Sequence, residues 1–167
     1  FVSIITFDSD AKQIVPLTDL ASFQMVDIKA SGVTSLGAAL ALLADKLETE
    51  VTMTTLEQKG DWKPLIFVMT DGIPTDNWQQ GYSKLKAVNK GLIVGCAAGQ
   101  GADDAILKQI TNSVVRLDSA DSESISKFFQ WVTASISTTS TKVEESGKEV
   151  TGLDQLPPPP SELVIVA

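Results

Sequence analysis

Histidine is absent from this sequence of 167 residues. That removes Ser-His-Asp and Cys-His nucleophilic sites and every zinc site built on imidazole. Cysteine occurs once, at Cys96, so no internal disulfide can form. Its neighbours, Leu92-Ile93-Val94-Gly95-Cys96-Ala97-Ala98, are apolar, which predicts a small core residue. Basic residues are scarce: 13 stand against 21 acidic ones, a net charge of −8. Such a surface repels phosphates, so neither nucleic acid nor an anionic membrane is the expected partner. A cation, or a partner with a basic face, suits it better. No apolar run is long enough to span a bilayer, and no leader-peptide pattern is visible.

The apolar fraction of 43% is that of a globular chain with a sizeable core. Phe1 to Phe7 is rich in β-branched and aromatic residues and predicts a strand. It reads as a core strand with nothing before it, which predicts that residues upstream are missing. Asp8-Ser9-Asp10 is a turn, and Ala11 to Leu17 reads as the second arm of an antiparallel hairpin at an edge. Phe23 to Ile28 can hold a short extended piece. Leu36, Leu40, Leu43 and Leu47 recur at helical spacing, with Thr34 or Ser35 as N-cap.

Leu65 to Thr70 is continuously apolar, as in a strand buried on both faces. A helix over Asn77–Asn89 follows, with Gly91 as a left-handed cap. Leu92 to Ala98 is a second buried strand, Asp103 to Thr111 a short helix and Val114 to Leu117 a short strand. Ser122 to Ser137 is the last helix, with Ile125, Phe128, Phe129, Val132 and Ile136 on its apolar face. Strands alternating with helices predict a doubly wound α/β domain with a mostly parallel sheet and one antiparallel edge strand. The domain is expected over residues 1–137. Residues 138–167 read as a Ser/Thr- and Pro-rich tail, with a stiff tetraproline at 157–160. Leu163-Val164-Ile165-Val166 is then a short strand that either packs back on the domain, the favoured reading, or docks elsewhere.

Ligands of open parallel sheets sit outside the carboxyl ends of the strands. Thr34-Ser35, Asp71-Gly72 and Gly99-Gln100-Gly101 all fall at such positions. Asp71, at the exit of a buried strand, is costly to leave unpaired. A hard divalent cation can pair it, with Thr34 adding a neutral oxygen. The competing explanation is an Asp-Gly turn whose carboxylate bonds nearby backbone N–H groups. Asp76 and Thr75 read as caps of the helix they precede. Trp78 either contacts a partner or packs on its own helix. Gly99-Gln100-Gly101 lacks both a phosphate-loop lysine and the dinucleotide spacing, so it reads as a tight turn. Asp118 and Asp121 read as a solvated turn.

Three segments together resemble a von Willebrand factor A domain. They are Val2-Ser3-Ile4-Ile5-Thr6-Phe7, Gly32-Val33-Thr34-Ser35-Leu36-Gly37-Ala38-Ala39-Leu40, and Phe67-Val68-Met69-Thr70-Asp71-Gly72-Ile73-Pro74-Thr75-Asp76. The resemblance covers roughly Phe1 to Ile136 and is nearest the bacterial tellurium-resistance TerY-like branch. It implies a metal-ion-dependent adhesion site built from three loops. Thr34 maps onto the threonine of the second loop and Asp71 onto the aspartate of the third. The first loop carries Asp-x-Ser-x-Ser after the central strand, and this sequence contains no such motif. The implied reading is a domain that lacks its central N-terminal strand. Mg²⁺ (or Mn²⁺ or Ca²⁺) binding is then weak or absent, and a protein partner supplies an acidic ligand.

The resemblance further implies a cytoplasmic adaptor in tellurite or stress resistance, beside a phosphatase or kinase, and no enzyme activity. The alternative is a phospho-acceptor or phosphatase of similar architecture. A receiver-type site needs a lysine after a later strand, and Gly95-Cys96-Ala97-Ala98 offers none. Asp8-Ser9-Asp10 has the letters of a phosphatase motif but follows a strand toward the sheet edge, a poor place for a nucleophile.

Overall fold

The computed structural model describes residues 1–24, 26–28, 31–52, 57, 60–89 and 91–166. The chain divides into two compact units, Phe1–Asp61 with Pro74–Asn89, and Trp62–Ile73 with Lys90–Ala167.

The first unit opens with β1 (Val2–Phe7) and β2 (Ala11–Thr18), an antiparallel pair. The Asp8-Ser9-Asp10 turn joins them. Helix α1 (Leu36–Glu50) buries Leu36 and Leu40 of the expected stripe together with Ala39 and Ala44, while Leu43 and Leu47 are only half-buried. Helix α2 (Trp78–Val88) buries Trp78, Gly81 and Leu85. The two helices meet through glycines: a Cβ on Gly81 would lie 2.1 Å from the Gly37 carbonyl oxygen. Only a residue without a side chain allows the backbones that close. No strand forms over the described part of Phe23–Ile28, which excludes Met25.

The second unit is a four-stranded sheet in the order β3-β4-β5-β6. Strands β3 (Leu65–Thr70), β4 (Leu92–Ala98) and β5 (Val114–Leu117) run parallel, as the alternation with helices predicts. Helix α3 (Asp104–Ile110) sets Leu107 against Gly95 of β4. Helix α4 (Ser122–Ser146) contributes Phe128 and Trp131 to a core with Val94, Cys96, Val115 and Leu117. Phe67 of β3 meets both rings edge-on, at centroid distances of 6.1 and 6.0 Å.

Three expectations need correction here, and the favoured reading of the terminal strand holds. Helix α4 does not stop at Ser137 but runs through the Ser/Thr stretch to Ser146. Its hydroxyls at Thr139, Thr141 and Ser146 bond carbonyls one turn back, so polar composition alone does not end the helix. It closes on Gly147, at φ 64° in the left-handed region. The Pro-rich segment packs in the same unit: Leu156 is buried, and the Trp131 indole donates to the Pro157 carbonyl at 2.9 Å. Beyond it, β6 (Leu163–Ile165) pairs antiparallel with β5, so the terminal apolar run packs back on the domain and adds a second antiparallel pairing. Gly91 is not a left-handed cap, since Asn89 closes α2 in an extended conformation. It is needed because a Cβ there would lie 2.0 Å from the Pro64 carbonyl oxygen.

Candidate functional site

The loop carrying Thr34 belongs to the first unit and is held from two sides. The Ser35 N–H donates to the Asp8 carbonyl at 2.9 Å, and the Ser31 hydroxyl donates to the Asp8 carboxylate at 3.1 Å. Gly32 sits at φ 77°, where a Cβ would lie 2.5 Å from the Ser9 hydroxyl. Hydrogen bonds from the Asp10 N–H and the Ser31 hydroxyl hold the Asp8 carboxyl below its ordinary value. The hairpin turn is therefore occupied in bracing the Thr34 loop. On the other side, the Thr75 N–H and hydroxyl both donate to the Thr34 carbonyl, at 2.9 and 3.3 Å.

The start of α1 departs from the sequence expectation. Ser35 stands at the N-cap position, yet neither it nor Thr34 caps the helix with its hydroxyl. Asp76 does the capping instead, from across the chain. One carboxylate oxygen accepts the Gly37 N–H and the other the Ala38 N–H, both at 2.9 Å. Nor does Asp76 cap the helix it precedes, because Asn77 takes that role by accepting the Gln80 N–H. The Thr34 hydroxyl, on a half-buried residue, has no hydrogen-bond partner among the described residues.

Asp71 belongs to the second unit, at the exit of β3. Its backbone turn is organised by the buried Thr70 hydroxyl, which donates to the Gly72 carbonyl at 3.3 Å and accepts the Gly72 N–H at 3.4 Å. The turn therefore does not consume the Asp71 carboxylate. That group is exposed and makes no hydrogen bond or ion pair among the described residues. The loop after β4 lies against the Asp71 backbone: a Cβ on Gly101 would stand 2.7 Å from the Asp71 carbonyl oxygen. That loop is a tight turn, with Gly99 at φ 73°.

Arg116, the chain's single arginine, fixes the same loop and was not signalled by any motif. Its guanidinium donates to the Gly99 and Ala102 carbonyls at 3.0 and 3.1 Å and pairs with Asp104 at 3.1 Å. The hydrogen bond from Arg116 lowers the Asp104 carboxyl. The one available hint was an arginine inside an otherwise apolar strand.

The remaining expectations resolve individually. Trp78 is buried and packs within its unit. Cys96 is a core residue, its thiol pushed up to about 12 by burial. Asp121 is more than part of a solvated turn, since it caps α4 by accepting the Ser124 N–H at 2.9 Å. The Ser119 hydroxyl and that N–H hold its carboxyl low.

The profile of the von Willebrand factor type A domain matches residues 1–131. The chain belongs to that family. Comparison with curated proteins and with solved structures finds no match. Domains of this family are commonly metal-dependent protein-interaction modules. No cluster of three or more acidic, cysteine or histidine residues suited to a metal ion occurs among the described residues. Within its own unit each candidate offers an oxygen donor, the Asp71 carboxylate and the Thr34 hydroxyl, a type that suits Mg²⁺ rather than a soft metal. No helix of the described residues is long and apolar enough to cross a membrane.

Proposed function

We propose that this von Willebrand factor A domain binds a protein partner with the help of a divalent cation, Mg²⁺ in the first instance, and is an adaptor rather than an enzyme. Asp71 of the second unit is the proposed carboxylate ligand, and Thr34 of the first unit is a proposed hydroxyl ligand. The observation that carries the reading is the uncommitted Asp71 carboxylate at the end of a buried strand, with its turn already satisfied by Thr70. Mg²⁺ wants about six oxygens and keeps several waters, so few protein ligands leave room for a partner's carboxylate. They also imply weak binding of the metal alone. When bound, the ion supplies positive charge that an acidic side chain can meet.

Two exposed apolar residues support a docking role. Val33 precedes Thr34 and is 53% exposed; Ile73, two residues after Asp71, is 60% exposed. Apolar side chains beside a polar anchor are what a protein interface needs. The resemblance to the TerY-like branch supports, as part of this proposal, a bacterial cytoplasmic adaptor in tellurite or stress resistance with a phosphatase or kinase as partner.

The test is a titration of the protein with Mg²⁺ and Mn²⁺, with and without a short acidic peptide. Asp71→Ala and Thr34→Ala each lower the metal affinity if the reading holds, and Ile73→Asp lowers peptide or partner affinity alone. Equal metal affinity in all variants rejects it. Stable labelling by acetyl phosphate, or turnover of p-nitrophenyl phosphate, would instead favour a phospho-acceptor or phosphatase.

A further inference from the structure

The segment that follows α4 is held to the second unit as a bound peptide is held in a groove. It leaves the helix at Gly147 and runs back past Lys142 and Trp131 to the edge of β5. Two of its leucines, Leu156 and Leu163, are buried in the core with Phe128 and Trp131. The Trp131 indole donates to the Pro157 carbonyl at 2.9 Å, the Lys142 ammonium donates to the Gln155 carbonyl, and Lys63 pairs with Glu149. Strand β6 then adds to β5 over three residue pairs, and the Val166 N–H donates to the Val114 carbonyl at 2.9 Å. Main-chain bonds along a sheet edge, with separate sites for single side chains, are the means by which strand addition recognises an extended peptide.

One exposed stretch ties this segment to its groove. Residues Glu144 to Lys148 are all exposed. Within it, Gly147 turns the chain at φ 64°, with no atom within 4 Å of where a Cβ would stand. The turn is therefore held by the backbone conformation of a single residue and not by packing around it. With helical angles at Gly147, α4 would continue and the segment would leave its own groove. The tetraproline at 157–160 stays extended whether docked or free, so little conformational freedom is lost when the segment docks again.

We propose that the groove between β5 and α4 also accepts this segment from a second copy of the chain, so that two copies exchange residues 148–166 through an opened hinge at Gly147. Every contact named above is then made between chains, and only the hinge differs from the closed form. The occupant is fixed by what already fills the groove: the second copy carries the same leucines, the same proline carbonyl and the same strand. Closure within one chain competes with an effective concentration of about millimolar. The closed monomer is thus the main form at micromolar concentration, and the exchanged dimer gains as concentration nears that range. Glycine tolerates φ 64° and a β-branched residue does not. A substitution that cannot hold the turn penalises the closed form in both copies and leaves the open hinge untouched. The proposal lies within the second unit and is independent of any cation at Asp71.

The experiment is light scattering on the full chain after size-exclusion chromatography, from about 10 μM to about 1 mM. Gly147→Val is expected to dimerise at a concentration about a hundredfold below that needed by the wild type. Adding Leu163→Asp, which puts a charge on a strand residue buried in the groove, is expected to abolish that dimer. Gly147→Val that stays monomeric across the range overturns the proposal. So does a dimer that survives Leu163→Asp, because its contact then does not run through the exchanged segment. Should circular dichroism show Gly147→Val unfolded, Gly147→Ala carries the same test with an expected shift of about tenfold.

Discussion

The two compact units are held together by different means. The first relies on carboxylates that reach across the chain: Asp76 to the start of α1, Asp8 to the Thr34 loop, and Glu50 to β2. Its helices touch through glycines. The second is packed around aromatic rings, with Phe67, Phe128 and Trp131 meeting edge to face. Apolar burial is non-directional and tolerant of small shifts, whereas a bidentate cap has value only at one geometry. The difference teaches where each kind of substitution should hurt.

The largest effect is expected from Phe128→Ala. The ring is 1% exposed and lies at the centre of the second unit's core. Truncation of a buried phenylalanine costs about 3–5 kcal/mol through lost transfer energy and the cavity left behind. Urea denaturation of the variant checks this, and a loss under about 1 kcal/mol would mean the ring is not central to the core.

Gly81→Ala comes next and tests the first unit. In an open helix the change would stabilise by about 1 kcal/mol, because alanine is the better helix former. Here the new methyl meets the Gly37 carbonyl at 2.1 Å, and backbone cannot swing aside as a side chain can. The helices must separate, so the clash outweighs the propensity and the net loss is about 1–3 kcal/mol. Thermal melts showing stabilisation would refute the close α1–α2 contact.

Acid sharpens the contrast at Glu50. Burial raises its carboxyl, but the Leu17 N–H, the Gln13 amide and Lys46 outweigh that and leave it below its ordinary value. A group lowered by folding stabilises fully above its unfolded value of 4.5 and loses that contribution as pH falls through the folded value. Glu50→Gln is therefore expected to cost about 1–2 kcal/mol at neutral pH and progressively less below pH of about 4. Denaturation midpoints of the two proteins that fail to approach one another on acidification would contradict this.

Periodicity made the positions of most helices and strands legible, but not every buried face: Phe129 and Ile136, expected on the apolar face of α4, are 53% and 43% exposed, and Trp131 is buried instead. The strand over Val114–Leu117 is found where its residues predict. Helix α4 was legible only to Ser137, since its last turns are made of serines and threonines whose hydroxyls bond within the helix, and composition alone reads that as tail. Thr34 and Asp71 are candidate ligands on their places at element ends and on family resemblance. The distant bonds around their loops were not legible. Asp76 caps a helix that begins 40 positions earlier, and Arg116 braces a loop that precedes it. A single sequence carries no trace of which distant carboxylate meets which N–H, because such pairings depend on how the elements pack.

The smallest predicted effect has the opposite sign. The Ser135 hydroxyl is fully buried on α4 and is the one buried side-chain polar atom without a hydrogen-bond partner among the described residues. Its carbonyl is used, accepting the Thr139 hydroxyl at 2.8 Å, so the orphan is the side chain alone. An unsatisfied buried hydroxyl carries a desolvation cost without a compensating bond. Alanine removes that cost and is the better helix former, while deleting one atom leaves only a small void. Ser135→Ala is thus expected to stabilise the second unit by about 0.5–1 kcal/mol, visible as a raised denaturation midpoint. A loss of similar size would mean that the hydroxyl has a partner in solution, most simply a buried water, and that the aromatic-packed unit also depends on a directional bond.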